Sequence, residues 1–385
     1  MKREQPTSSG ISMKTVARAV REALGPGVGW GALALTLPGL ALGGPTGEQV
    51  KRGSAKVHRP DARGTVVDQS SDRAVVNWQT FSIGDKEYVR FNQPGKKSVI
   101  LNRVVGQSPG NISRILGELT ANGQVFLVNP HGVHFGPNAR VDVGAIVAST
   151  LSIGNDDFMA GNYRFAKDGA IDGAKVVNEG VIHARENGYV VLAGDYVSNE
   201  GKIEVARFGT IALASGARMT MSLDDAGLVN VAVDEATVSE LAGVSNSGEL
   251  LADGGRVIMT ARVAKDLQAA AVNSEGLIRA ASLEERGGEV YLTAAGGDIV
   301  HSGIVDVSGT GGAGGGTVTV RSDQDITLTP GSRIAASGSG AADGGEAVII
   351  AEQTLDFQEQ AQIAAEGGEE GSGGFIEVSG HEHIR

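Results

Sequence analysis

Residues 287–322 read GGEVYLTAAGGDIVHSGIVDVSGTGGAGGGTVTVRS, and the fold follows from how this stretch is read. Val290, Leu292 and Ala294 alternate with residues of other types, which is the period of a strand with one buried face. The same alternation holds at Val257, Met259 and Ala261. Gly, Asn and Ser stand between the apolar runs, and Gly and Asn tolerate the positive φ that a tight corner requires. The stretch is therefore short strands joined by sharp turns.

Phrases of this kind recur along the chain. VNEGVIHA (177–184) is echoed by SNEGKIEV (198–205), SNSGELLA (245–252), NSEGLIRA (273–280) and HSGIVDVSG (301–309). A second phrase answers the first: GYVVLAG (188–194), FGTIALASG (208–216), GGRVIMTAR (254–262), GGEVYLTAAG (287–296), GGTVTVRS (315–322), GGEAVIIAE (344–352) and GGFIEVSG (373–380). The later Gly-Gly pairs begin at Gly254, Gly287, Gly315, Gly344 and Gly373, in steps of 33, 28, 29 and 29. Such periods mark a solenoid, a propeller or an array. Propeller blades need about 40 to 50 residues and four strands, and these units are shorter and poor in aromatics. No helical periodicity survives past residues 113–119, so helices cannot supply the crossovers of an α/β sheet.

The expected fold is all-β: a right-handed parallel β-helix with an N-terminal β cap. Roughly fifteen coils over residues 57–385, at about 4.8 Å per coil, would make a rod on the order of 70 Å long. Composition agrees. Aromatics are 4% of the 385 residues while Gly numbers 58, so the core is built from Val, Ile, Leu and Ala between many turns. Length alone would suggest two or three domains, but the repetition extends across most of the chain.

Residues 1–44 have the pattern of a signal peptide with an extended N-terminal region. Lys14, Arg18 and Arg21 precede the apolar run VGWGALALTLPGLAL (28–42), which is interrupted by Pro38 and followed by Gly43 and Gly44. The run is too short and too interrupted for a membrane span; a buried helical hairpin is the alternative. The net charge is −12, with no basic run or basic and aromatic stripe, so the electrostatic footprint of a nucleic-acid binder is missing. The sequence has no cysteine, which suits passage through an oxidising periplasm.

Within residues 121–150, Asn-Pro-His-Gly interrupts an apolar run. Pro130 sets φ near −65° at the first central position of a turn, Gly132 allows a conformation closed to residues with a Cβ, and Asn129 can bond the backbone as an Asx-turn. Other candidate sites are weaker. His131 and His134 are three apart with no carboxylate or Cys nearby in sequence to complete a metal site. GGAGGG (311–316) lacks the Lys-Ser/Thr of a phosphate loop and the Asp of a calcium-binding GGxGxD repeat, and GKKS at Gly95 has Arg90 where a phosphate loop has its first Gly. The His381, Glu382 and His383 cluster reads as an exposed stretch. Asp156 with Asp157, and Asp224 with Asp225, read as solvated charges on strands or loops, where adjacent side chains point apart. No catalytic residue, cofactor or metal is expected.

Phe91-Asn92, SVILNRVVGQSPGNISRILGELTANGQVFLVNPHGVHFG (98–136), VDVGAIVAST (141–150) and the two repeating phrases together resemble the N-terminal secretion domain of filamentous haemagglutinin-type adhesins and haemolysins, the exported partners of two-partner secretion systems. The resemblance is dense over residues 57–165 and looser to the end of the chain. It implies a capped β-helix, recognised in the periplasm by the soluble domains of an outer-membrane barrel transporter and threaded to the surface of a Gram-negative bacterium or into the medium. It also marks Asn102, Arg103, Asn122 and Gly123 as secretion-domain motif positions, and Asn129, Pro130, His131 and Gly132 as a structural turn that doubles as a transporter-recognition surface. The family's usual turn is Asn-Pro-Asn-Gly; His131 replaces its second Asn.

The expected organisation is a signal segment (1–44), a cap with the first coils (45–165) and β-helix repeats (166–385) that continue in a longer product, since the sequence ends just after a strand. The function implied is that of an exported adhesin, active in cell adhesion and biofilm, with an unidentified host-cell or matrix ligand. The alternative is a β-helical carbohydrate-active enzyme such as a polysaccharide lyase, which would cluster Asp/Glu with Arg/Lys on successive coils.

Overall fold

The computed structural model of the chain describes residues 44–385 apart from residues 109, 169, 170, 172, 225, 226, 240, 241, 265–269, 284 and 285. All of the expected signal segment except Gly44 lies outside the described residues. The stretch that opened the sequence reading is one full coil and the start of the next. Glu289–Ala295, Asp298–His301 and Ile304–Asp306 each join a different sheet, and Thr317–Ser322 then lies beside Glu289–Ala295 in parallel register. Repetition of this unit builds three long parallel sheets, two of twelve strands and one of ten. The fold is the expected parallel β-helix.

Its first end is closed by antiparallel pairing. Gln49–Arg52 runs against Arg73–Trp78, and Ala55–His58 against Gly64–Gln69, so the first coil does not offer two naked edges. The remaining strands of the longest sheet are eleven and parallel. At about 4.8 Å per coil they make a stack of roughly 50 Å, shorter than the rod expected from the sequence. The difference is chain spent outside the stack: the cap, and two excursions within residues 151–174 and 216–242. Residues 113–119, the last with any helical periodicity, form the strands Ser113–Ile115 and part of Glu118–Ala121, because Ile115 and Leu119 must both point into the core.

Alternation puts one continuous apolar core inside the coils, from Val67 to Ala365, with Val290 and Leu292 fully buried. Each such side chain contributes about 1.5–3 kcal/mol by leaving water. Polar residues enter this core where the first phrase turns its corner. Asn178, Asn199, Asn246, Ser274 and His301 occupy one register row and are all buried. Asn178 Nδ2 donates to Asn199 Oδ1 at 2.7 Å, and Asn199 Nδ2 donates to Asn246 Oδ1 at 2.8 Å. The Asn of each VNEG-like phrase is thus the rung of an internal ladder. At its far end His301 Nδ1 lies 3.3 Å from Ser274 Oγ and Nε2 3.4 Å from the Arg333 carbonyl. These partners suit a neutral ring that accepts from the hydroxyl and donates to the carbonyl. Burial holds the imidazole below its ordinary value.

The glycine two residues after each rung has a steric reason. A Cβ on Gly248 would stand 2.0 Å from the Gly201 carbonyl oxygen, and one on Gly276 2.1 Å from that of Gly248. The Gly-Gly phrases obey the same rule: a Cβ on Gly345 would meet the Gly316 carbonyl oxygen at 2.0 Å. Backbone packs on backbone at these corners, so the repeat is written in glycine.

A second layer lies on the outer face of the longest sheet. The helix Asn155–Ala160 and a three-stranded antiparallel sheet of Tyr163–Ala166, Arg218–Leu223 and Val229–Glu235 pack over Phe126, Val147 and Val191. Phe126 meets Phe158 edge-on at 5.5 Å and stacks on Phe165 at 6.2 Å. Arg256 ties this layer down: its Nε donates to Glu289 Oε2 at 2.6 Å and its Nη1 to Asp224 Oδ2 at 3.0 Å.

Two outcomes follow for the ladder. Asn199→Ala leaves a buried donor and acceptor on its neighbours unpaired and lowers unfolding free energy by about 1–3 kcal/mol, read from denaturant melts. His301 is less basic when folded than when unfolded, so the unfolded chain binds the extra proton first as pH falls. Its contribution is whole above about pH 6.5 and is lost as pH drops from there toward the folded value. His301→Asn should flatten this part of the stability–pH curve; an unchanged slope would place the acid sensitivity elsewhere.

Candidate functional site

The corner at residues 129–132 is built around Asn129, whose side chain is fully buried. Its Oδ1 accepts the His131 backbone N–H at 3.0 Å, which forms the Asx-turn, and Gly132 N–H donates to the Asn129 carbonyl at 3.0 Å. Asn129 Nδ2 donates to the Asn111 carbonyl at 2.7 Å and to Ser113 Oγ at 2.9 Å. One amide therefore closes the turn and holds the preceding coil against it. Gly132 has φ +126°, a conformation closed to side chains, and a Cβ there would also press on the Lys175 carbonyl at 3.1 Å. Pro130 and His131 are half-buried and are the residues of the corner that solvent reaches. His131 Nδ1 is itself buried without a hydrogen-bond partner.

The other motif positions serve neighbouring coils. Asn102 is buried inside the stack, where its Oδ1 accepts Trp78 Nε1–H at 3.0 Å. Asn122 makes a reciprocal pair with the Gln93 backbone: Gln93 N–H donates to Asn122 Oδ1, and Asn122 Nδ2 donates to the Gln93 carbonyl, both at 2.7 Å. Gly123 N–H donates to Gln93 Oε1 at 3.0 Å, and a Cβ on Gly123 would stand 2.6 Å from the Ser98 carbonyl oxygen. Arg103 leaves the outer face of the longest sheet; its Nη1 donates to Asn155 Oδ1 at 2.7 Å and its Nη2 to the Ile153 carbonyl. The structure places these residues in one N-terminal region of successive coils, but their side chains point to different places: into the core, to a corner and to the outer layer.

The minor candidates change in two respects. A carboxylate does reach His134: Glu179, one coil on, puts Oε2 3.1 Å from its Nε2. That partner is 45 residues away in sequence, so spacing could not reveal it. Among the described residues no group of three or more His, Cys, Asp or Glu is arranged to hold a metal ion. Asp156 and Asp157 stand in the first turn of the helix Asn155–Ala160, not on a strand. Asp224 is tied to Arg256 and accepts the Leu228 N–H, so it is no free solvated charge; Asp225 lies outside the described residues. The Arg256 cluster does set Glu and Arg on successive coils, the arrangement expected of a carbohydrate-active enzyme, yet its hydrogen bonds go to the outer layer and to Glu289.

Sequence reasoning missed the outer layer and the cleft beside it, which Arg103, Arg164, Arg218, Asp157 and Phe165 line. The excursions that form it carry neither repeating phrase. The one available signal was negative: the phrases fall silent between residues 151 and 174 and between 217 and 242.

Comparison with known proteins agrees with this architecture. The family model for the TPS secretion domain matches residues 42–307. The heme/hemopexin-binding protein of Haemophilus influenzae strain ATCC 51907 / DSM 11121 / KW20 / Rd is 34% identical over 259 residues, which is 65% of this chain and 27% of that protein. A second heme/hemopexin-binding protein from Haemophilus influenzae is 31% identical over 262 residues, 63% of this chain and 27% of its own length. The chain thus spans about a quarter of the length of the curated relatives it matches. The crystal structure of the HMW1 secretion domain from Haemophilus influenzae superposes with a TM-score of 0.74 at 29% identity, covering 89% of this chain and 96% of that domain. With a match over more than half its length and the same coiled architecture, the chain belongs to the TPS secretion domain family, the export module of two-partner secretion.

Proposed function

We propose that this chain is the segment of an exported two-partner secretion protein that a cognate outer-membrane barrel transporter reads from the periplasm. The observation that carries the proposal is the secretion-domain match across residues 42–307. Deletion of the transporter gene should remove the protein from the culture supernatant and the cell surface. Undiminished external protein in the deletion strain would sink the proposal.

The corner at 129–132 is the surface proposed for that reading, with a division of labour that its burial supports. Asn129 and Gly132 frame the turn from inside, while Pro130 and His131 face outward. His131→Ala should lower export at unchanged melting temperature. His131→Asn removes a buried unpartnered nitrogen, should leave stability unchanged or raised by up to about 1–2 kcal/mol, and should preserve secretion. If export in both variants follows melting temperature alone, the corner is structural only.

No catalytic role is proposed for the chain. For the exported product two ligand classes are open to direct test. A filamentous haemagglutinin-like adhesin would bind a host-cell or matrix component. The printed function of the two curated relatives favours heme or hemopexin instead. Binding of the secreted full-length product to immobilised hemopexin, against an albumin control, separates the two; binding to epithelial cells with none to hemopexin supports the adhesin.

A further inference from the structure

A cleft of about 750 Å³ opens between the loop that follows Ala145–Ser149, the helix Asn155–Ala160 and the antiparallel sheet of the outer layer. Arg103 forms part of its depth. Its hydrogen bonds go to the Asn155 and Asn77 side-chain oxygens and to the Ile153 carbonyl, all neutral acceptors. Arg59, Arg256 and Arg279, by contrast, each meet a carboxylate at 2.6–3.0 Å. Arg103 has no such partner among the described residues, and burial alone depresses its basicity.

Two more guanidiniums stand at the mouth. Arg164 is exposed on Tyr163–Ala166 and has no polar partner among the described residues; Arg218, on the neighbouring strand, pairs with Glu235 at 3.1 Å. Against these three cations the lining holds two carboxylates, Asp157 and Asp168. A locally cationic cleft on a chain of net charge −12 is a departure that attracts anions. A half-desolvated guanidinium gains most from a carboxylate that meets its fork in two parallel hydrogen bonds.

We propose that this cleft docks an acidic segment of a partner polypeptide, with one carboxylate taken by Arg103 in the depth and another by Arg164 at the mouth. The cationic groups sit on three separate stretches of chain. A compact anion meets one of them, whereas a chain with carboxylates two residues apart meets two, with its intervening side chain against the Phe165 wall. The proposal goes beyond the transporter reading and does not depend on it, because the partner is defined by its charge pattern alone.

The test is a titration of the ¹⁵N-labelled full chain at fixed ionic strength with the amide-capped pentapeptide Ala-Glu-Ala-Glu-Ala, its Gln counterpart and free glutarate. The acidic peptide should shift the amides of residues 152–155 and 163–166. Arg164→Gln, an exposed change that spares the fold, should weaken binding by about fivefold. Arg103→Lys, which keeps charge but loses the fork, should weaken it as well. Raising salt should weaken it further. Three results overturn the proposal: no shift at those amides, equal shifts from the Gln peptide, or binding unaltered in Arg164→Gln. Glutarate binding as tightly as the peptide would make the cleft a small-anion site and overturn the polypeptide occupant.

Discussion

Everything in this fold depends on the short distance between successive coils at their corners. Strands in a sheet sit about 4.8 Å apart, and at a sharp corner there is no slack to take up a side chain. The carbonyl of one glycine therefore lies where the next coil's Cβ would be, as at Gly201, Gly248 and Gly276. The same closeness brings Asn178, Asn199 and Asn246 within hydrogen-bonding distance, so polar groups can be buried in an apolar core without remaining unpaired. Sterics and hydrogen bonding select the same Asn-x-Gly phrase, which is why the repeat is visible in the sequence at all.

The corner at 129–132 is a variation on that theme with a different result. Asn129 is buried like the ladder residues, but it bonds its own turn and the loop of the coil before it. Proline then replaces a residue that could have continued the ladder, and the turn projects Pro130 and His131 outward. Frame and face are thus different residues of one tetrapeptide. A change to the frame disturbs folding first, and a change to the face leaves the stack intact.

The fold was legible in the sequence because its determinants are local and recur: alternation at Val290, Leu292 and Ala294 announced the strand, and steps near 29 residues announced the coil. The roles of Asn178 and its successors were legible only as repetition, since nothing in the phrase says that Asn points inward. The outer layer was not legible. Phe158, Phe165, Met219 and Met221 lie in excursions without period, and their burial on Phe126 is a contact between distant stretches. For the same reason the depth of the Arg103 cleft and the His134–Glu179 pair were invisible. The coil count was read too high because these excursions were counted as rungs.

Membership of the TPS secretion domain family and the geometry of the corner converge on one claim: that the periplasmic part of a transporter approaches this chain at the outward face of residues 130–131. Site-specific photocrosslinking in cells that carry the transporter tests it most directly, with the crosslinking residue at position 131 and, as the comparison, at Glu346 on a late coil. The account predicts an adduct between position 131 and the transporter's periplasmic domain, and none from position 346. Adducts of equal yield from both positions, or from position 346 alone, would contradict it.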